Sequence, residues 1–330
     1  DNSHTMDMTA SYNPEALIAR IKSLSLISGS GITVTADARI SAYEEGKPFT
    51  IIPSVQGNNV DEAKTISVIE AAVKAGQASV DVDQAGCYYQ VNVREDSEEL
   101  KALCDTMNRY RNATINYVFG DVKEPLTGET ICSWMTGSQG TAVILDQEKV
   151  TAFVAGLAGK YDTAGTARTF HTAGGRDVEI TGPYGWKLDV AGEVAALTQL
   201  IQAGLGEGEQ DREPVYAATA ASRSLPDWGN TYVEIDLTGQ HVYMFQEGNL
   251  VWEAPCVTGN IAKNYNTPAG IYSLTYKEMD RILRGAKKAD GTYEYESHVD
   301  YWMPFNGGIG LHDANWRSKF GGTIYQTSGS

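Results

Sequence analysis

Residues 231–245 read Thr-Tyr-Val-Glu-Ile-Asp-Leu-Thr-Gly-Gln-His-Val-Tyr-Met-Phe. Val233, Ile235 and Leu237 alternate with Tyr232, Glu234 and Asp236. A period of two turns every second side chain to the same face of a strand. Thr238-Gly239 supplies a tight turn, and His241 to Phe245 returns as a second strand. Glu247-Gly248-Asn249 marks another turn before a third strand, Leu250 to Val257. Three short strands joined by tight turns predict a mostly β domain, a sandwich or barrel, over 231–330. No helical pattern interrupts it before Lys277.

Upstream the pattern changes. Gly204 to Asn230 is rich in Gly, Glu, Pro, Ala and Ser with little periodicity, which reads as a linker over 211–230. Before it lies an internal repeat. Gly57, Asp61 and Gly76 recur as Gly185, Asp189 and Gly204, each 128 residues later, and Ile69, Ala72 and Val73 recur as Leu197, Leu200 and Ile201. Each unit is predicted to hold a strand ending in a Gly turn, then an Asp-capped helix that buries one face and stops at Gly. An earlier helix is expected in each, over Pro14 to Leu24 and Asp146 to Leu157, and in the first unit a strand over Tyr89 to Val93 and an amphipathic stretch over Ser97 to Met107. The predicted fold class is α+β: two related α+β modules at 11–105 and 106–210, then the mostly β domain. Residues 1–10 resemble an expression-tag scar and lead, so a native N-terminus with a signal or anchor is expected to have been removed.

The chain has 330 residues, of which 42% are hydrophobic and 21% charged, enough apolar content for packed cores. Asp and Glu number 42 against 26 Lys and Arg, a net charge of -16, which argues against nucleic acid and anionic membrane surfaces as partners. No run approaches the ~18 apolar residues of a membrane span. Of four cysteines, none forms a CxxC pair; Cys87 and Cys104 can bridge in an oxidising compartment or remain buried thiols, and spacing leaves both open. There is no GxSxG, GxGxxG, Walker or HExxH motif, and no cofactor or metal is expected.

Several segments carry a resemblance. The meander from Tyr232, with Val257-Thr258-Gly259-Asn260, resembles the opening of L,D-transpeptidase (YkuD-type) catalytic domains. Asn266-Thr267-Pro268-Ala269-Gly270-Ile271-Tyr272 is similar to that family's TPxGxY element, and Tyr301 to His312 resembles the segment delivering its first active-site histidine. The repeats resemble the peptidoglycan-binding domain that often precedes it. The family's nucleophile lies in a Ser-His-Gly-Cys motif beyond this segment. Here Ser328-Gly329-Ser330 stands in its place and no cysteine follows, so the catalytic domain is expected to be truncated and this form inactive.

The resemblance implies acyl transfer between peptidoglycan stem peptides. A cysteine thiolate would form a thioacyl-enzyme with loss of D-Ala, and an amine of a neighbouring stem would complete a 3→3 cross-link. His312 is the implied general base. Tyr301, Trp302, Phe305, Gly308, Asp313, Arg317 and Ser330 are the implied substrate-binding residues. Asn315 and Trp316 lie in the same segment. Cys256, between Pro255 and Val257 in a predicted strand, reads as a structural thiol. His241 and His298 have no motif around them. Stem peptides, and carbapenem-type inhibitors of the intact enzyme, are the implied partners, and the extracellular cell wall the implied location, with a membrane anchor in a removed N-terminal segment. A non-catalytic peptidoglycan-binding protein is the competing reading, and a spacer that holds a catalytic domain off the membrane a third.

Overall fold

The computed structural model describes residues 12–139 and 142–328. The tag-like residues 1–10 and Ser330 lie outside them. In chain order the elements are α1 (Pro14–Lys22), α2 (Ser25–Ser28), β1 (Arg39–Ile40), β2 (Ile51–Ile52), α3 (Glu62–Lys74), α4 (Glu98–Arg111), β3 (Ala113–Phe119), β4 (Val122–Thr127), α5 (Gly128–Ser133), β5 (Met135–Gln139), β6 (Ala142–Leu145), α6 (Gln147–Tyr161), β7 (Arg168–His171), β8 (Asp177–Ile180), β9 (Lys187–Leu188), α7 (Val190–Ala203), β10 (Gly208–Arg212) and β11 (Tyr216–Ala218). Then come β12 (Tyr232–Asp236), β13 (His241–Gln246), β14 (Asn249–Pro255), β15 (Glu278–Arg284), β16 (Glu296–Asn306) and β17 (Ile309–His312). The fold class is therefore α+β with a mostly β C-terminal part.

Local chemistry explains where the helices begin and end. Asn13 caps α1 by accepting from the Glu15 and Ala16 amides at 2.9 and 3.1 Å, and Pro14 sits where a helix lacks an N–H partner anyway. Ser97 caps α4 through the Leu100 amide at 3.3 Å, and Arg109 and Arg111 in its last turn complement the dipole. α3 ends at Lys74, with Ala75 as its cap and then Gly76, whose φ of 66° few other residues adopt cheaply.

The chain divides into two compact units. The first comprises Asp1–Thr114, Leu126–Asp146 and Leu200–Glu209. Its core gathers Phe49, Leu103, Met107, Tyr110, Leu126, Ile131, Val143 and Ile201, all buried, and the Tyr110 hydroxyl donates to the Ile201 carbonyl at 2.7 Å. Cys87, Cys104 and Cys132 are buried, unbridged thiols, so the Cys87–Cys104 bridge left open by spacing is not formed. The second unit comprises Ile115–Pro125, Gln147–Gln199 and Gln210–Ser330. Tyr117, Val150, Val154, Leu157, Leu188 and Leu197 are buried there, and farther along Val242, Val299 and Trp302. Its C-terminal part is two antiparallel meanders, ordered β12-β13-β14 and β15-β16-β17. The three strands foreseen from the alternation at 231–257 are the first of these.

The 128-residue offset reappears in the backbone pairing. Val60 bridges Tyr88, and Leu188 pairs with Tyr216, both antiparallel. The Asp61 amide donates to the Cys87 carbonyl at 2.8 Å, and the Asp189 amide to the Val215 carbonyl at 2.9 Å. The Asp61 carboxylate takes the Lys64 amide at 2.9 Å, and that of Asp189 the Gly192 amide at 3.0 Å. At the fourth helical position stand Thr65 and Glu193, both fully buried.

Two segments differ from the sequence reading. The strand expected at Tyr89 to Val93 makes no ladder. Among the described residues only the Tyr89 amide reaches a backbone carbonyl, that of Asn59 at 3.1 Å; Asn92 and Val93 donate to Asp37 at 2.6 and 3.1 Å, and Val91 to Gln56 at 3.2 Å. β-Propensity alone does not supply a partner strand. Residues 204–230, featureless by composition, hold β10, β11 and a buried ion pair between Asp227 and Arg168 at 2.7 Å. Asp227 also accepts from the Thr163 hydroxyl. Its burial depends on partners some sixty positions away, which a local window does not contain.

Candidate active site

β16 and β17 form a hairpin that ends on His312. Gly307, in the turn, has φ 55°. Gly310 lies against β16 so closely that a Cβ there would come within 2.8 Å of the Met303 carbonyl oxygen. These two glycines explain the Gly-rich approach to the histidine. The register places His312 directly across from Trp302, and β17 is the edge strand of its sheet among the described residues.

The His312 ring is half-buried between two indoles. Its centroid lies 5.9 Å from that of Trp302 and 5.9 Å from that of Trp316, stacked on the latter at 28°. Nδ1 lies 2.8 Å from the Asp313 backbone carbonyl oxygen. A carbonyl only accepts, so Nδ1 carries the proton and donates it. Neutral His312 therefore keeps its lone pair on Nε2, the arrangement of a general base. The Asp313 carboxylate, in turn, accepts from the Tyr301 amide at 2.8 Å. Burial pushes the Asp313 carboxyl up, but the Tyr301 and Asp300 amides outweigh it and hold the group below the usual carboxylate range. The loop after β17 is thus tied to β16 by a charged acceptor.

Of the residues expected to contact substrate, Trp302 and Asp313 are brought to His312. Trp302 is 6% exposed and its indole nitrogen donates to the Tyr276 hydroxyl at 3.4 Å, so it backs the histidine more than it offers open surface. Tyr301, 53% exposed, alternates to the opposite face of β16. Phe305 packs on Tyr272 at 5.6 Å, which links the hairpin to the TPxGxY-like segment. Gly308 is exposed in the turn. Arg317 is half-buried just past Trp316, its amide donating to Ala314 at 3.1 Å. Tyr276 was missed by sequence reasoning, because its partner Trp302 lies 26 residues on.

Cys256 follows the end of β14, its amide donating to Gln240 and its carbonyl accepting from Gly321 at 2.8 and 2.9 Å. Burial pushes its thiol up to about 11, so it is not a thiolate near neutral pH. His298 donates from Nε2 to the Asp280 carboxylate at 2.6 Å, on an exposed surface. No cluster of His, Cys, Asp or Glu among the described residues is arranged to hold a metal ion.

The YkuD family model, described as the L,D-transpeptidase catalytic domain, matches residues 230–330, and a peptidoglycan binding domain model matches residues 96–209. No curated protein sequence matches. The solved Ldtfm-avibactam carbamoyl enzyme is 32% identical, with 70% of this chain and 88% of that chain covered and a TM-score of 0.55. A Cys-to-Ser mutant of the Enterococcus faecium L,D-transpeptidase is also 32% identical, with 68% and 88% covered and a TM-score of 0.54. With that identity sustained over most of two such enzymes, and with the histidine hairpin lying inside the matched catalytic segment, the chain belongs to the L,D-transpeptidase family.

Proposed function

We propose that the protein is a peptidoglycan L,D-transpeptidase in which His312 is the general base for a cysteine supplied by a Ser-His-Gly-Cys element. The observation that carries this is the Nδ1 bond to the Asp313 carbonyl, which leaves Nε2 as the acceptor. In the proposed reaction Nε2 takes the thiol proton and the thiolate attacks the carbonyl carbon between a diamino acid and a terminal D-Ala. The C–N bond breaks, D-Ala leaves with the proton from the imidazolium, and a thioester remains. The amine of a second stem attacks the thioester, His312 accepts its proton, and the thiolate is expelled as the 3→3 bond forms. Trp302 and Trp316 fix the ring plane; Phe305, Gly308, Asp313 and Arg317 border the stem, with Tyr301 on the far strand face a weaker contributor.

The two peptidoglycan-binding-like modules, 11–105 and 106–210, would hold the enzyme on its polymer, at the extracellular cell wall. Among the described residues no helix is long and apolar enough to cross a membrane. The 330-residue chain itself is proposed to be inactive: Cys132 and Cys256 are driven by burial to about 12 and about 11, and Cys87, Cys104 and Cys132 are buried in the first unit, whereas His312 belongs to the second. The test is D-Ala release from a tetrapeptide stem and covalent labelling by a carbapenem, for this chain and for a parent that carries the cysteine element. We expect turnover and labelling only in the parent, reduced roughly 10²–10⁴-fold by His312→Ala. An adduct on this chain would overturn the assignment of the nucleophile. An inactive parent would favour the non-catalytic binding protein.

A further inference from the structure

The first repeat carries a groove with a polar and aromatic lining. Thr35, Asp37, Asn59, Tyr89, Gln90 and Asn92 surround a concavity of about 300 Å³ within the first compact unit. Its rim is fixed by one main-chain bond and one side-chain bond: the Tyr89 amide donates to the Asn59 carbonyl at 3.1 Å, and the Thr35 amide to the Asn59 side-chain oxygen at 2.7 Å. With that oxygen engaged, the Asn59 amide nitrogen is left as the donor. Asp37 holds the Asn92 and Val93 amides on one carboxylate oxygen. Those bonds keep its carboxyl below the usual range, so it is ionised at neutral pH. The Tyr89 ring is 49% exposed.

The second repeat supplies an internal control. At the 128-residue offset, Asp37, Asn59, Tyr89, Gln90 and Asn92 correspond to Gly165, Lys187, Ala217, Ala218 and Ala220. The backbone frame is nonetheless the same, as the paired bridges Val60–Tyr88 and Leu188–Tyr216 show. The Tyr89 ring, replaced by Ala217 in the second repeat, is therefore not the cost of building this turn of chain, while Asp37 and Asn59 also anchor neighbouring amides. Five positions differ together, and together they provide one aromatic face, three carboxamides and one carboxylate.

That set suits a neutral sugar. The C–H face of a pyranose packs on an exposed aromatic ring, while its hydroxyl and acetamido groups bond to planar amides and carboxylates. No lysine or arginine is among the lining residues, so an acidic stem terminus or a phosphate would meet the Asp37 charge with nothing to offset it. We propose that this groove is a glycan subsite, taking a β-1,4-linked N-acetylated amino sugar of the peptidoglycan strand with Tyr89 as its platform. The proposal rests on the reading that the modules bind peptidoglycan, and adds which module, which face and which part of the polymer.

The test uses the full chain and three probes: a β-1,4-linked N-acetylglucosamine hexasaccharide, a free tetrapeptide stem, and insoluble peptidoglycan sacculi. The hexasaccharide should shift the amide resonances of residues 89–93, and the stem should not. Tyr89→Ala should weaken hexasaccharide binding about tenfold, the usual consequence of losing a central aromatic anchor. Asn92→Ala is the second variant, and Tyr295→Ala, an exposed tyrosine in the other unit, should leave binding unchanged. Unchanged melting of each variant separates loss of contact from loss of fold. If the chain sediments with sacculi but both groove variants bind hexasaccharide as wild type does, or only the stem shifts these amides, the subsite is overturned while peptidoglycan binding stands. If the wild-type chain does not sediment with sacculi, the reading of the modules fails and takes the subsite with it.

Discussion

Thr65 in the first repeat and Glu193 in the second occupy the same place, the fourth residue of an Asp-capped helix, and both are fully buried. Their solutions to burial are opposite. Thr65 turns its hydroxyl back to the Asp61 carbonyl at 2.7 Å and needs nothing outside its own turn. Glu193 takes the Tyr117 hydroxyl at 2.6 Å, the Arg212 guanidinium at 2.8 and 3.0 Å, and the Val215 amide at 2.8 Å. Burial and this carboxylate drive the Tyr117 phenol well above its ordinary range. One repeat closes its core with local bonds and leaves its outer groove polar. The other draws three distant segments onto one buried charge, and the stretch matching the groove is alanine-rich. The same backbone frame thus serves as a surface in one copy and as a structural hub in the other.

The largest effect expected from this contrast is on stability. Glu193→Ala leaves Arg212 without its counter-charge and two further donors without an acceptor, and should destabilise the second unit by about 3–5 kcal/mol. Thr65→Val removes one hydroxyl bond and should cost only about 1 kcal/mol. Denaturation midpoints of the two variants check this. Equal losses would mean that Glu193 is not the hub its bonds suggest.

A smaller effect tests the shared frame itself. Asp61→Ala and Asp189→Ala each remove a side-chain cap, and each should cost about 1 kcal/mol. Amide exchange at the first turns of α3 and α7 would report the two losses separately. A clear inequality would show that the caps, though alike in geometry, are not alike in weight.

The smallest effect is a pH dependence confined to one repeat. Asp37 is held below its ordinary value of 3.8 by the Val93 and Asn92 amides. A depressed carboxyl contributes stability present above the unfolded value and lost as pH falls through the folded one. The ordering of residues 92–93 should therefore be complete above about pH 4 and loosen at pH below 3.8. Amide shifts of Asn92 and Val93 would follow it, and Asp37→Asn should abolish the titration. Gly165 stands at the matching place in the second repeat, so no equivalent acid step is expected there.

The candidate hairpin was only partly legible. Glycine spacing and the Tyr301 to His312 motif marked the histidine, and the structure explains both glycines by turn conformation and close approach. The aromatics around it were harder. Tyr301 and Trp302 are adjacent and chemically alike in sequence, but the pleat sends them to opposite faces, and only Trp302 lies across from His312. Which face is buried depends on what packs there, as with Tyr276.

What the sequence determined by itself was whatever is written within a few residues: the alternation that makes β12 and β13, the Asn13, Asp61, Ser97 and Asp189 caps, the glycines that end turns, and the 128-residue echo. Tertiary structure decided the rest: that Tyr89 to Val93 forms no ladder, that Asp227 is buried against Arg168, that Glu193 is a hub, and that His312 packs on two indoles with its proton on Nδ1. The physical reason is range. Caps and periodicity act between neighbours along the chain, whereas a buried charge or a ring's setting is fixed by partners brought from far away, and its stability depends on all of them being present at once.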